Sequence, residues 1–169
     1  VIDLGIPGLV NRGIDLAESN NADLILFDID TFGGRVDAAT QIKDAIASTE
    51  IETIAFINRR AISAGSLISL SGDQIFMTEG ATIGATSVVD MSGSKQSEKS
   101  QSYMREEMAA TAEKSGKNPE IARGMVDEEL SFEFLIVEGD TLTVTDIEGR
   151  KEGKLITLTT ELALKYGIA

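Results

Sequence analysis

The chain has 169 residues, 42% hydrophobic and 5% aromatic, with no tryptophan, histidine or cysteine and a formal charge of −13. That length supports one globular domain with an aliphatic core, and the acidity argues against binding nucleic-acid phosphates. Absence of histidine and cysteine excludes the common zinc, haem and iron–sulfur sites, along with histidine-based nucleophile systems; it leaves the redox compartment open. No apolar run approaches the roughly 18 residues of a membrane span. No signal peptide is present, and the abrupt start at Val1 in an apparent strand is compatible with a trimmed targeting segment.

In chain order, "VIDLGI" reads as a short strand. Leu9, Val10, Ile14 and Leu16 then form a helical stripe that stops at Asn20-Asn21. "LILFDID" (24–30) is an almost continuous apolar run, which predicts a strand covered on both faces. "TFGGR" leads into an amphipathic helix, "VDAATQIKDAIAS", and "ETIAFIN" (52–58) predicts a second buried strand. "RRAIS" passes into a helix of small residues, "AGSLISLSG", followed by strands at "DQIFMTEG" and "ATIGATSVV". This alternation predicts an α/β domain with a mainly parallel sheet, flanking helices and right-handed crossovers. Residues 90–100, "DMSGSKQSEKS", read as a flexible loop before a long helix that carries Tyr103, Met104 and Met108 on or near one face and ends at Ser115-Gly116. A further helix begins near Pro119. One or two hairpins follow, then a terminal helix that stops at Gly167. All 169 residues are read as a single domain.

Two junctions could carry chemistry. "DTFGG", Asp30 to Gly34, places two glycines between a strand and a helix, where free main-chain N–H groups favour an anion or the oxyanion of acyl transfer. The lysine and hydroxyl residue of a P-loop are missing. "AISAG" puts Ser63, with Ser66 close behind, at the next such junction, where a serine most often caps the helix. Consecutive junctions at the carboxyl ends of neighbouring parallel strands lie side by side, and sites form there. A serine nucleophile needs a base, and in a chain without histidine Lys, Asp, Glu and Tyr remain. A desolvated lysine can serve, and no carboxylate pair stands out among the 28 acidic residues. Lys43, Lys95 and Lys99 are the candidates, and spacing alone does not choose among them.

The segments "DLILFDIDTFGGRVDAATQIKDAI", "INRRAISAGSLISLSGDQIFMTEGATIGATSVV", "KSQSYMREEMAATAEKSGKNPEIA" and "GKLITLTTELALKYGIA" occur in this order over nearly the whole chain. Together they resemble the protease domain of NfeD-type membrane-bound serine proteases, relatives of the Clp protease and signal peptide peptidase A within the Clp/crotonase fold. The resemblance implies that fold, with repeated β-β-α and βαβ units, and a Ser–Lys dyad. The family's nucleophile falls on Ser63, and its lysine, counted back from the Ser115-Gly116-Lys117-Asn118 turn, falls on Lys99. Its Asp-Thr-Pro-Gly-Gly loop falls on Asp30 to Gly34, so Gly33, Gly34 and Ala64 would supply the oxyanion N–H groups. Phe32 stands where the family has proline, and Ile62 stands where a smaller residue is common.

The resemblance further implies cleavage of apolar peptide segments, of stomatin-like membrane proteins, with no cofactor or metal. It implies a homodimer or larger assembly, membrane attachment through segments outside this chain, and an extracytoplasmic protease domain. Two other readings stay open at this level. One is a crotonase-type acyl-CoA enzyme that uses the glycine loop to hold an enolate; the other is an inactive interaction or scaffold module.

Overall fold

A computed structural model describes residues 1–90, 92–147, 151 and 153–169. Helices α1 (Ile6–Ser19), α2 (Val36–Ser48) and α3 (Ala64–Ser71) alternate with strands β1 (Leu24–Thr31) and β2 (Glu52–Ile62). Strands β3 (Gln74–Met77) and β4 (Thr82–Gly84) follow, then α4 (Glu98–Lys114), α5 (Pro119–Gly124), the β5 (Phe134–Val137) and β6 (Asp140–Thr143) hairpin, β7 (Thr157–Thr159) and α6 (Thr160–Lys165). β1, β2, β3 and β4 are mutually parallel, and β7 closes the sheet antiparallel to β4. The α/β architecture predicted from the sequence is the one found.

The core lies between the sheet and the helices. Ile57 and Ile83 on the sheet, Leu67 and Leu70 on α3, and Met108 on α4 are fully buried. Each such side chain contributes about 1.5–3 kcal/mol of burial. The α3 sequence, "AGSLISLS", is short in bulk, and all eight of its residues are buried. Small side chains let this helix sit close to the sheet and bring its N-terminus to the strand ends.

Several local expectations are corrected. "VIDLGI" is not a strand: the Asp3 carboxylate accepts the Gly5 N–H at 2.8 Å, Pro7 sits in the first turn of α1, and Ile2 makes only an isolated parallel bridge with Gly34. An Asx-turn followed by proline starts a helix rather than extending a strand. On α1, Val10 and Ile14 face inward while Leu9 and Leu16 are exposed. β1 is not covered on both faces. It lies at the sheet edge, and of its residues only Ile29 is fully buried while Leu24 and Leu26 are exposed. β2 runs through Arg59 and Arg60 up to Ile62, and β4 is only three residues long. In the stretch read as a flexible loop, the Asp90 carboxylate accepts the N–H groups of Ser92 and Ser94, and α4 begins at Glu98. Among the described residues one hairpin forms, within the one or two expected, and residues 148–150 and 152 of that stretch lie outside the described residues.

The turn after α4 holds a buried amine. Lys117 Nζ donates to Gly72 O at 2.7 Å, just past the C-terminus of α3, with Asp73 O and Ser115 O at 3.3 Å. Burial lowers its pKa from 10.5 to about 8, against the pull of the Asp73 charge. Below pH 8 the amine is charged in both the folded and unfolded chains. Between about pH 8 and 10.5 the unfolded chain keeps a proton that the folded one has released, so Lys117 makes stability rise with pH in that window. Urea unfolding across it should show Lys117→Met lacking a gain on the order of 3 kcal/mol present in the parent chain.

Candidate active site

β1 and β2 deliver their carboxyl ends side by side. The register runs Ile29 to Ile57 and then jumps to Thr31 opposite Ala61, so β2 carries extra residues around Arg59 and Arg60 before the turn. Their guanidinium groups flank the Asp30 carboxylate, at 3.5 Å from Arg59 and 3.4 Å from Arg60, and Arg60 stacks 4.3 Å from the centre of the Phe32 ring. Where the resemblance places a rigid proline, this chain holds the exposed Phe32 by a cation–π contact.

Ser63 occupies the turn between β2 and α3 at φ 57° and ψ −122°, a region that favours glycine. Its N–H donates to Gly84 O at 3.0 Å, which ties the turn to β4. Although Ser63 stands at the N-cap position, its hydroxyl caps nothing and has no hydrogen-bond partner among the described residues. The capping role expected of a serine at this point is therefore not the one it fills. Ser66 is fully buried, with Oγ 2.7 Å from Ala61 O and accepting the Gly84 N–H at 2.9 Å. It locks α3 to β2 and β4 and is unavailable as a nucleophile.

The glycine loop presses directly on Ser63. Gly33 has φ 112°, and a Cβ added there would stand 2.7 Å from Ser63 Cβ; one added at Gly34 would stand 2.0 Å from Ile2 O. The two glycines are not equivalent donors. The Gly33 N–H is taken by Thr31 Oγ1 at 3.0 Å, whereas the N–H groups of Gly34 and Ala64 have no acceptor among the described residues. Gly34, Ser63 and Ala64 together line a small cavity of about 50 Å³ with Val36, Val88 and Met104. Thr86 also lines it, and its hydroxyl is buried with no partner among the described residues.

A groove of about 930 Å³ shares Ser63, Gly34, Val36 and Val89 with this cavity and is lined also by Phe32 and Tyr103. Gln101 is the site residue that sequence reasoning missed. Buried at 2% exposure, its side chain accepts the Val88 N–H at 3.0 Å and donates to Val88 O at 2.6 Å, pinning α4 to the groove wall. A glutamine on an otherwise apolar helix face was the available signal.

The lysines separate by their partners. Lys43 pairs with Glu107 at 2.6 Å and Asp44 at 2.7 Å; burial lowers its pKa, but those two carboxylates outweigh it and leave the amine above its ordinary value. Lys95 pairs with Glu128 at 2.9 Å, whose hydrogen bond raises its pKa. Both are held as cations, the wrong state for a base. Lys117 is pushed the other way but sits at the far end of α3, about 12 Å of helix from Ser63. Lys99, in the first turn of α4, is exposed, makes no ion pair or hydrogen bond among the described residues, and does not line the groove. Tyr103, four residues further on and so on the same helix face, does line it. The structure thus brings Ser63, Gly34 and Ala64 together and leaves Lys99 apart from them.

A strained serine at a strand-to-helix turn, set over parallel strand ends beside unpaired N–H groups, belongs to a Clp-like α/β fold. ClpP1 from Listeria monocytogenes superposes with a TM-score of 0.67 over 99% of this chain and 84% of its own, at 20% identity, a likeness of fold. The chain belongs to the NfeD1b N-terminal domain family, whose model matches residues 1–169. It is 32% identical over 166 residues to the membrane protein NfeD1b of Bacillus subtilis, covering 98% of this chain and 35% of that protein. It is also 32% identical over 130 residues to the membrane-bound protease PH1510 of Pyrococcus horikoshii, covering 72% of this chain and 30% of that protein. The chain therefore spans about a third of the length of these relatives. The structure of 1510-N, a membrane-bound stomatin-specific protease, as a lysine-to-alanine variant with a substrate peptide, matches with a TM-score of 0.78 at 27% identity. That match covers 99% of this chain and 68% of that one. A serine-to-alanine variant of the same protease matches at 0.76. Among the described residues no helix is long and apolar enough to cross a membrane.

The backbone at Ser63 sets up a stability test. Ser63→Gly should stabilise the chain by about 1 kcal/mol relative to Ser63→Ala, because glycine accepts the positive φ without strain; paired thermal or urea unfolding of the two variants measures it.

Proposed function

We propose that this domain is a serine endopeptidase in which Ser63 attacks the peptide carbonyl and Lys99 is general base and acid. The observation that carries the reading is the Ser63 hydroxyl, unpartnered on a strained turn beside the free N–H groups of Gly34 and Ala64. Neutral Lys99 accepts the Ser63 proton as Oγ bonds to the carbonyl carbon. The oxyanion receives the Gly34 and Ala64 N–H groups; Gly33 contributes only if Thr31 Oγ1 lets go of its N–H. Collapse of the tetrahedral intermediate breaks the C–N bond, and the leaving amine takes the proton from Lys99. Water then attacks the acyl-Ser63 ester, gives a proton to Lys99, and Ser63 Oγ leaves and is reprotonated.

Lys99 must approach Ser63 for this to occur. An apolar substrate lying in the groove between Phe32, Val88, Val89 and Tyr103 would cover the first turn of α4 and strip water from the amine. That loss of water is how a lysine comes to act as a base near neutral pH. The named activity of the Pyrococcus relative, and the serine and lysine replaced in its variants, support the same assignment. Apolar segments of stomatin-like proteins are the substrate class on this reading. A homodimer or larger assembly, attachment to a membrane through other parts of a longer protein, and an extracytoplasmic position complete the proposal. The acyl-CoA reading is disfavoured by Asp3 and Asp90 on the groove wall, where Arg35, the one arginine among the described residues, is already paired with Asp37.

Cleavage of an apolar peptide series is the test. Ser63→Ala and Lys99→Ala should each lower kcat/KM about a thousandfold without loss of folding, and Lys99→Arg should not restore it because a guanidinium keeps its proton. Undiminished turnover in both alanine variants would refute the dyad.

A further inference from the structure

All-parallel strands occur almost only with helices over both faces of the sheet. Among the described residues the helices cover one face of β1, β2 and β3; on the other face Leu24, Leu26 and Phe76 are exposed and Ile54 and Phe56 half-buried. Side chains at even-numbered positions of these strands point outward, in cross-strand rows of Leu26, Ile54 and Gln74, then Asp28, Phe56 and Phe76. Leu26 is 56% exposed and Phe76 51%, with Leu24 at 41% beside them. An apolar band of this extent on an α/β sheet marks a contact surface.

We propose that this face docks a cationic amphipathic helix of a partner protein. Three strands at about 4.8 Å spacing make a strip about 10 Å across, the width of one α-helix, and a helix is what the second layer of such a sheet supplies. Charge selects its flanks. The charged groups on these rows away from the turn are Asp28 and Glu52, both carboxylates, and neither forms an ion pair among the described residues. Arg59 and Arg60, at the carboxyl end, are engaged by Asp30. A second copy of this chain, at −13, would set carboxylate against carboxylate, whereas lysines or arginines beside a leucine stripe would meet both acids.

The test is fluorescence anisotropy with a labelled leucine/lysine amphipathic peptide about 18 residues long, about 27 Å as a helix. The 169-residue chain carries Ser63→Ala so that no outcome depends on hydrolysis. Binding with a Kd of about 10–100 µM is expected. Leu26→Ser with Phe76→Ser should weaken it at least about tenfold, Asp28→Asn with Glu52→Gln several-fold with a shallower salt dependence, and Leu9→Ser on α1 not at all. No binding, equal binding by the Leu26/Phe76 variant, or equal binding of a leucine/glutamate peptide would overturn the proposal. So would a parent dimer that the Leu26/Phe76 variant splits in sedimentation, since the occupant would then be a second copy.

Discussion

Gly33 and Ser63 touch almost backbone to backbone, and this contact sets the geometry of the site. With 2.7 Å between Ser63 Cβ and where a Gly33 Cβ would be, no side chain fits in the loop, and the loop cannot withdraw because Gly34 is wedged against the Ile2 backbone. On the other side the Ser63 N–H is held by Gly84. The turn is gripped between β1 and β4, and that grip is what sustains a positive φ at a residue other than glycine. Backbone strain of this kind persists only where surrounding structure over-determines it. Here it aims a hydroxyl away from the cap it would otherwise make and toward the groove.

Electrostatics then sort the amines. In a chain with 28 acidic and 15 basic side chains, most cations find a carboxylate, and pairing keeps them charged. Lys43 and Lys95 follow that rule. Lys99 escapes it among the described residues, at the start of a helix whose second turn carries Tyr103 into the groove wall. Its separation from Ser63 leaves activation to whatever covers it. On the proposed reading, an apolar segment in the groove would itself complete the base, which protects against reaction without substrate.

The two faces of the sheet serve different ends. The covered face supplies rigidity: small side chains in α3 let it sit deep, Ser66 ties it to β2 and β4, and Lys117 closes its far end. The other face keeps an apolar strip on strands whose carboxyl ends lead to Ser63 and the glycine loop. Anything seated there would press on β1 and β2, which both lead into the Gly33–Ser63 contact.

The sequence alone determined the α/β class, the order of most elements and the junction at which Ser63 stands, because strand and helix periodicity and small-residue turns are local properties. Absence of histidine left lysine, carboxylates and tyrosine as possible bases, and it was family resemblance that pointed to Lys99. Only tertiary structure decided that β1 is half bare, since an apolar run reads alike whether one face is covered or two. It also decided that Ser66 is a structural lock, that Gly33 and Gly34 differ as donors, and that Gln101 pins Val88. Ser66 and Gln101 are held by Gly84 and Val88, 18 and 13 residues away, and Gly33 is distinguished from Gly34 by one hydrogen bond to the Thr31 side chain; none of these contacts leaves a periodic trace in the chain.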